Sequence, residues 1–288
     1  MQVKQVITAI VLGCLLAACG DHRSSAERFA EDGILVLGNN SEPQSQDPHK
    51  ATSVADGKII STLLEGLVRP SPSVDGDVLP GVADSWEHNE QADVWTFHLN
   101  PDVRWSDGRK LTAGDFVYAY QRLLHPEFAG KYAEMLYPLL HAESYNKGNC
   151  DWDKVGVKAI DDHTLQLTLS GPAPHLLRLL LHFTWFPIPS HKVEELGGML
   201  DRRSLWTRPE HWVGNGAYVL AEHRFNDFLS VKPNPHYHRT KELRNRGIRF
   251  LPIVNGYTET RMYLGGKLHI SNNVPPEMLA YAREIRPA

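Results

Sequence analysis

Hydrophobic and polar positions alternate with two different periods along this chain, and the two periods predict both strands and helices. In the stretch DVWTFHL (93–99), Trp95, Phe97 and Leu99 fall on one side, which is typical of a strand with one buried face. In LTAGDFVYAYQRLL (111–124), apolar side chains recur at helical spacing. Thr112 is in place to cap the start of that helix, with Asp115 in its first turn.

The same patterns predict the other elements and a mixed fold. Strands are predicted in ILVLGNN (34–40), the hairpin VKAIDDHTLQLTL (157–169), GAYVLAEHRFNDFLSVKPNPHY (216–237) and IRFLPI (248–253), and helices in VADGKIISTLLEGL (54–67), YAEMLYPLLHA (132–142, bent at Pro138), PHLLRLLLHF (174–183) and TETRMYLGG (258–266). Strands and helices do not alternate strictly as βαβ units. The pattern therefore favours an α/β (mixed α+β) fold of two packed units.

The last twenty residues, HISNNVPPEMLAYAREIRPA, predict a short strand over Leu268–Ser271, a polar corner and then a helix. Pro275 and Pro276 suit the first turn of that helix, because their missing N–H groups would have no partner there. Leu279, Ala282 and Ile285 give it one apolar stripe.

The N-terminus has the pattern of a secretory signal. Lys4 precedes an apolar run that ends at Ala18, and LLAAC (15–19) resembles the bacterial lipobox. That resemblance implies a lipoprotein signal peptide over 1–18, acylation of Cys19 and a polar tether over 19–31. Several acyl chains on one cysteine hold a protein stably on a lipid bilayer.

Composition narrows the function classes. The formal net charge is −4, which argues against nucleic acid as a partner. Of the three cysteines, Cys14 would leave with the signal peptide and Cys19 would carry lipid. Cys150 would then be alone, without a disulfide partner or an assigned role.

The search for catalytic chemistry is negative. The sequence contains no H-E-x-x-H, C-x-x-C, G-x-S-x-G or P-loop motif, and GNGAYV (214–219) lacks the third glycine and the helix of a dinucleotide loop. His236 and His238 are close together, but no carboxylate or cysteine set accompanies them. We expect no catalytic residue, no metal site and no cofactor. The many aromatic residues between Trp86 and Tyr137 fit a core, with a ligand cleft as the alternative.

Six stretches, in order, carry a family resemblance. They are DPHKATSVADGKIISTLLEGL, LPGVADSWE, VWTFHLNPDVRWSDGRKLTAGDFVYAYQRLL, KAIDDHTLQLTL, NGAYVL and GGKLHISNNVPPE. Together they resemble the oligopeptide-binding proteins of ABC importers, in the peptide/nickel class of solute-binding protein family 5. The resemblance implies a two-lobed periplasmic-binding-protein type II-like fold that closes over an extended peptide, held like an added strand.

The resemblance also implies a peptide-binding site. The segment Thr52–Val54, which includes Ser53, would offer backbone groups. Tyr132, His182 and Asn272 match family positions at the cleft. Close relatives tend to have an acidic residue where Thr52 stands, and an aromatic residue where Ser271 stands.

Family members are about twice as long, which shapes the expected domains. Residues 32–64 and 189–288 would form an incomplete first lobe, residues 65–188 a smaller inserted domain, and the second lobe would be absent. We therefore expect a truncated receptor with impaired binding of short peptides, located on the periplasmic side and working with an ABC importer permease. The alternatives are another solute of the class (murein peptide, dipeptide, haem or nickel chelate), a truncated lipoprotein with no transport role, or, least favoured, a metal hydrolase.

Overall fold

The computed structural model describes residues 23–285. The predicted signal peptide 1–18, with Cys14, and the lipidation site Cys19 lie outside the described residues. The helices are α1 Ser25–Glu31, α2 Val54–Leu63, α3 Ala113–Leu124, α4 Ala142–Asn146, α5 Leu176–Leu179, α6 Ser190–Glu195, α7 Gly256–Leu264 and α8 Leu279–Ile285. The strands are β1 Ile34–Gly38, β2 Val68–Pro70, β3 Val78–Pro80, β4 Ala83–His88, β5 Val94–Leu99, β6 Val157–Asp161, β7 Thr164–Thr168, β8 Tyr218–Arg224, β9 Phe228–Pro233 and β10 Gly247–Leu251.

Two four-stranded sheets organise these elements. The first has the order β1-β10-β9-β8, in which β1 runs parallel to β10 and the other pairs are antiparallel. The second has the order β4-β5-β7-β6 and is antiparallel throughout. A two-stranded ribbon of β2 and β3 completes the sheet structure. The predicted mixed α/β fold class is confirmed.

The second sheet and helix α3 show how local sequence decides these elements. Trp95, Phe97 and Leu99 of β5 are all buried, as the alternation predicts. Thr112 precedes α3 with an extended backbone, and its N–H donates to Asp115 Oδ2 at 3.0 Å. The apolar side chains of α3 then bury themselves in the same hydrophobic core as β5.

The helix predicted over 174–183 is limited to α5, followed by a 3₁₀ turn at Phe183–Trp185. Three other stretches differ from their predictions for local reasons. The expected helix over 132–142 is a 3₁₀ turn, Ala133–Leu136, followed by the separate helix α4. Pro138 cannot donate to a helical ladder, and Tyr132 and His141 have left-handed backbones with φ of 57° and 58°. Residues 25–31, expected as part of a tether, form α1, because Ser24 and Glu27 make a capping box.

The C-terminal segment is the third difference. The predicted strand Leu268–Ser271 is reduced to one bridge between Leu37 and Ile270. Here the His269 N–H donates to the Val36 carbonyl at 2.8 Å and the Gly38 N–H to the Ile270 carbonyl at 3.3 Å, while the Val36 N–H donates to the ring Nδ1 of His269 at 2.9 Å and not to a backbone carbonyl. The stripe of α8 is half-exposed at Leu279 and Ile285, so the described residues do not cover it.

Candidate functional site

An open cavity of about 400 Å³ lies beside the start of α2, and we call it the Val54 cavity. It brings together five of the six predicted binding residues: Thr52, Ser53, Val54, Tyr132 and His182. The remaining lining residues are Gly57, Lys58, Ser61, Leu181 and Phe183. Asn272, the sixth predicted residue, does not line the cavity.

The buried carboxylate of Asp56 determines the shape of the chain before α2. Its Oδ1 accepts the N–H groups of Gln44 and Ser45 at 2.7 and 3.3 Å. Its Oδ2 accepts those of Thr52 and Ser53 at 3.2 and 3.1 Å. Two of the three predicted backbone donors are therefore already bonded within the protein.

Val54 supplies the donor that remains in this segment. As the first residue of α2 it has no helical partner for its N–H, and none is found among residues 23–285. Its side chain is 76% exposed, although it is apolar. The Thr52 carbonyl accepts one hydrogen bond, from the Tyr132 hydroxyl at 3.0 Å, and so keeps one lone pair.

Aromatic rings form the opposite wall of the Val54 cavity. The rings of Tyr132 and His182 meet edge to face at 6.0 Å, and His182 lies on Phe183 at 4.2 Å. His182 Nδ1 is 2.9 Å from the Thr184 hydroxyl and accepts the Thr184 N–H at 3.4 Å. Nδ1 is thus the acceptor, and the proton of the neutral ring lies on Nε2.

His182 Nε2 is available to a ligand. Within the described part of the chain this atom has no hydrogen-bond partner, yet it is not buried. Burial of the ring lowers the pKa of His182, which favours the neutral form at neutral pH. The wall therefore presents a neutral N–H donor beside flat apolar rings.

Asn272 lies next to the Val54 cavity through Lys58. Its Nδ2 and Lys58 Nζ both donate to the Gly38 carbonyl oxygen, Lys58 at 3.4 Å. The Asn272 N–H donates to Oε1 of the buried Glu259 at 2.7 Å. Burial lowers the pKa of Lys58, and the Glu259 carboxylate opposes that effect. A side chain at Gly38 would collide with Glu259, since an added Cβ would be 2.0 Å from Oε1.

A buried ion pair holds the loop that leads to the Val54 cavity. Arg122 donates both Nη atoms to Asp47, at 3.0 and 2.8 Å, and both side chains are fully buried. Burial favours the neutral acid, but Arg122 holds the pKa of Asp47 well below its usual range. Burial, and then Arg122, lowers the pKa of His49 to about 3, so its Nδ1 accepts from Arg122 at 2.8 Å.

Of the histidine pair 236 and 238, His238 belongs to a structural cluster around Glu65, whereas the His236 backbone N–H donates to Asn234 Oδ1 at 3.0 Å. His238 Nε2 is 2.7 Å from Glu65 Oε2, and Tyr237 and Arg239 donate to the other Glu65 oxygen. Asn215 bonds both the N–H and the carbonyl of Glu65. In residues 23–285 no group of three or more His, Cys, Asp or Glu side chains is arranged to hold a metal ion, and no helix is long and apolar enough to cross a membrane.

Comparison with protein families gives one clear match. The model for "Bacterial extracellular solute-binding proteins, family 5 Middle" matches residues 77–286. The periplasmic oligopeptide-binding protein OppA of Escherichia coli (strain K12) is 37% identical over 278 residues, which are 95% of this chain and 50% of that protein. The periplasmic murein peptide-binding protein MppA of the same organism is 36% identical over 252 residues, which are 87% of this chain and 45% of that protein.

Solved structures agree with the sequence match. Haemophilus influenzae OppA in complex with RPPGFSPFR superposes with a TM-score of 0.83 at 37% identity, over 88% of this chain and 48% of that chain. The unliganded open form of MppA gives a TM-score of 0.83 at 35% identity, over 90% of this chain and 48% of that chain. The chain thus spans about half the length of the curated relatives it matches.

Proposed function

Since this chain belongs to the bacterial extracellular solute-binding proteins of family 5, we propose that it binds short peptides along the Val54 cavity for an ABC importer. Relatives that it matches at 35–37% identity are named as oligopeptide-binding and murein peptide-binding proteins. The proposed role is capture and delivery to a permease, without catalysis.

The observation that carries the proposal is the free hydrogen-bonding capacity around the Val54 cavity. An extended peptide added like a strand needs backbone donors and acceptors from its receptor. Val54 N–H and the second lone pair of the Thr52 carbonyl fit that need. The neutral His182 Nε2–H adds a side-chain donor, and the rings of Tyr132 and Phe183 give an apolar surface for peptide side chains. Because residue 52 is a threonine, its side chain would add no charge to the contacts with a peptide.

We expect the 288-residue chain to bind peptide more weakly than a full-length relative. The relatives have about as much chain again, and we infer that this further portion supplies some of the contacts that hold a peptide. An NMR titration of Cys19→Ala protein with millimolar trialanine should shift the amide signals of Val54 and its neighbours in a saturable way. Unchanged signals over 52–57 at the highest peptide concentration would contradict peptide binding here.

His182→Ala is expected to weaken that binding by roughly five- to tenfold, because one hydrogen-bond donor and one ring surface are lost. His175→Ala is the matched control, since His175 is exposed and does not line the cavity. The same titration measures both variants. Equal affinities for the two would show that His182 does not contact the peptide.

A murein peptide is the second candidate ligand, favoured by the 36% identity to MppA. Competition between trialanine and a murein tripeptide in the same titration distinguishes the two. Stronger displacement by the murein tripeptide would favour this alternative.

We further propose that Cys19 is acylated and anchors the protein at the periplasmic side of a membrane. The lipobox resemblance of LLAAC supports this. In cells, Cys19→Ala should move the protein from the membrane fraction to the soluble fraction, while Cys150→Ala, which leaves the lipobox intact, should not. Unchanged membrane association of Cys19→Ala would reject the anchor.

The division into a first lobe (32–64 and 189–288) and an inserted domain (65–188) also remains our proposal. The composition of the sheets supports it. The strands of one four-stranded sheet come from 34–38 and 218–251, and those of the other come from 83–168.

A further inference from the structure

A second cavity, of about 310 Å³, opens on the other part of the loop that Asp47 and Asp56 hold in place. We call it the arginine cavity. Its walls come from residues 43–50, residues 202–209 and the end of β8. It shares no lining residue with the Val54 cavity.

The charge in the arginine cavity is one-sided. Lys50, Arg202, Arg203 and Arg208 line it, whereas no Asp or Glu is among the described residues that do so. Acids do lie next to its lining residues along the chain, but they have other partners: Glu42 is bonded to His223 at 2.6 Å and to the Asn226 N–H at 3.1 Å, Asp47 is paired with Arg122, and Asp201 Oδ1 accepts the Arg203 backbone N–H at 2.8 Å. The protein has a net charge of −4, so its acidic residues outnumber its basic ones, yet none of those described lines this cavity.

The contacts of each basic side chain show which positive charges are not compensated by a carboxylate. Lys50 Nζ is 3.7 Å from the buried Asp47 carboxylate, so its charge is partly compensated. Arg202 donates to the carbonyls of Phe128 and Ala129, which carry no net charge. The guanidinium groups of Arg203 and Arg208 form no ion pair with any residue in 23–285. Three positive charges therefore face the cavity without a carboxylate.

Two buried polar groups in the wall also lack partners. Gln46 Nε2 and Ser204 Oγ form no hydrogen bond with the described residues, and both residues are more than nine-tenths buried. Unsatisfied buried groups of this kind are costly unless a water or a ligand completes them.

We infer that the arginine cavity is a second ligand site, separate from the proposed peptide site, that binds the phosphate group of a phosphate monoester. A carboxylate has one charge and would be matched by one arginine, whereas a phosphate monoester has a charge of about −1.5 to −2 at pH 7. Planar guanidinium groups suit its oxygens geometrically. The exposed Leu205 and Phe225 at the rim suit an apolar body attached to the phosphate.

The test uses the Cys19→Ala chain, so that no acyl group contributes, and two phosphate sources. Calorimetry with glycerol 3-phosphate measures a soluble ligand. Cosedimentation with phosphatidylcholine vesicles, with and without phosphatidic acid, measures a lipid headgroup. We expect saturable binding of at least one of the two, with a single site per chain and at least tenfold weaker binding of acetate.

The variants Arg203→Ala and Arg208→Ala identify the site. Each should weaken phosphate binding about tenfold or more, because a charge-assisted hydrogen bond is lost. Both side chains are exposed, so the variants should keep the melting temperature of the parent protein. Arg244→Ala, which removes an exposed arginine outside the cavity, should bind like the parent.

Each possible result bears on the inference. Binding of glycerol 3-phosphate alone assigns a soluble phosphate ester, and binding of phosphatidic acid vesicles alone assigns a headgroup. The inference is overturned if neither source binds, if acetate binds equally well, or if Arg244→Ala reduces binding as much as the cavity variants do.

Discussion

Arg122→Met is expected to lower the free energy of unfolding by about 3–5 kcal/mol, because it leaves the buried Asp47 carboxylate without its partner. Arg122 and Asp47 are joined by two hydrogen bonds of 3.0 and 2.8 Å, and both are 0% exposed. Arg122 also donates to the Met199 carbonyl at 2.9 Å and lies over the Phe128 ring at 4.0 Å. Urea unfolding of the variant and the parent measures the difference.

A double variant separates the buried charge from lost packing. Asp47→Asn combined with Arg122→Met removes both charges, so no unpaired ion remains buried. We expect the double variant to be more stable than Arg122→Met alone. If the two substitutions simply add, the ion pair is not the cause of the loss. Arg244→Met, at an exposed position, is the control for the substitution itself and should change stability by no more than about 0.5 kcal/mol.

This ion pair also shows where prediction from the sequence ends. The strand β5 and the helix α3 were predictable, because alternation and capping act within a few residues. Arg122 and Asp47 are 75 positions apart, and nothing in either local sequence indicates that they meet. From its position in the α3 sequence, Arg122 could equally be predicted to have a solvent-exposed side chain. Its burial depends on how the loop before α2 folds onto α3.

The residues of the candidate site also divide into those that the sequence predicted and those that it could not predict. Thr52, Ser53, Val54, Tyr132 and His182 were predicted from a family resemblance, and they line one cavity. Hydrophobic periodicity could not have found them, because they lie on turns and element ends.

The sequence did not identify Lys58 or Glu259 as site residues. Lys58 Nζ donates to the Gly38 carbonyl at the end of β1, and Glu259, on α7, accepts the Asn272 N–H, so neither contact is local in the sequence. Asp56 had a local signal: the S-x-x-D spacing of Ser53 and Asp56 is that of a capping box. That spacing predicts one bond to the cap, while the bonds to Gln44 and Ser45 depend on the path of the loop.

Asp56→Asn is expected to lower the free energy of unfolding by about 2–4 kcal/mol and to disturb the Val54 cavity. The carboxylate of Asp56 accepts four backbone N–H groups, two on each oxygen. An asparagine of the same shape keeps one oxygen and turns an NH₂ group towards the other pair, where donors then face donors. Whichever way the amide lies, two of these backbone N–H groups lose their acceptor beside the buried Asp56 side chain.

The two measurements for Asp56→Asn are urea unfolding and hydrogen exchange of the amides at 44, 45, 52 and 53. We expect exchange at these amides to quicken more than exchange in β5, because the loop loosens before the core opens. Trialanine should also bind more weakly, since the Thr52–Val54 segment is no longer held in position. Glu90→Gln is the control, because Glu90 is an exposed carboxylate, and it should leave all three quantities unchanged. Stability and exchange equal to those of the parent would mean that the four hydrogen bonds do not hold this loop. The Val54 cavity would then owe its shape to the buried Asp47–Arg122 pair.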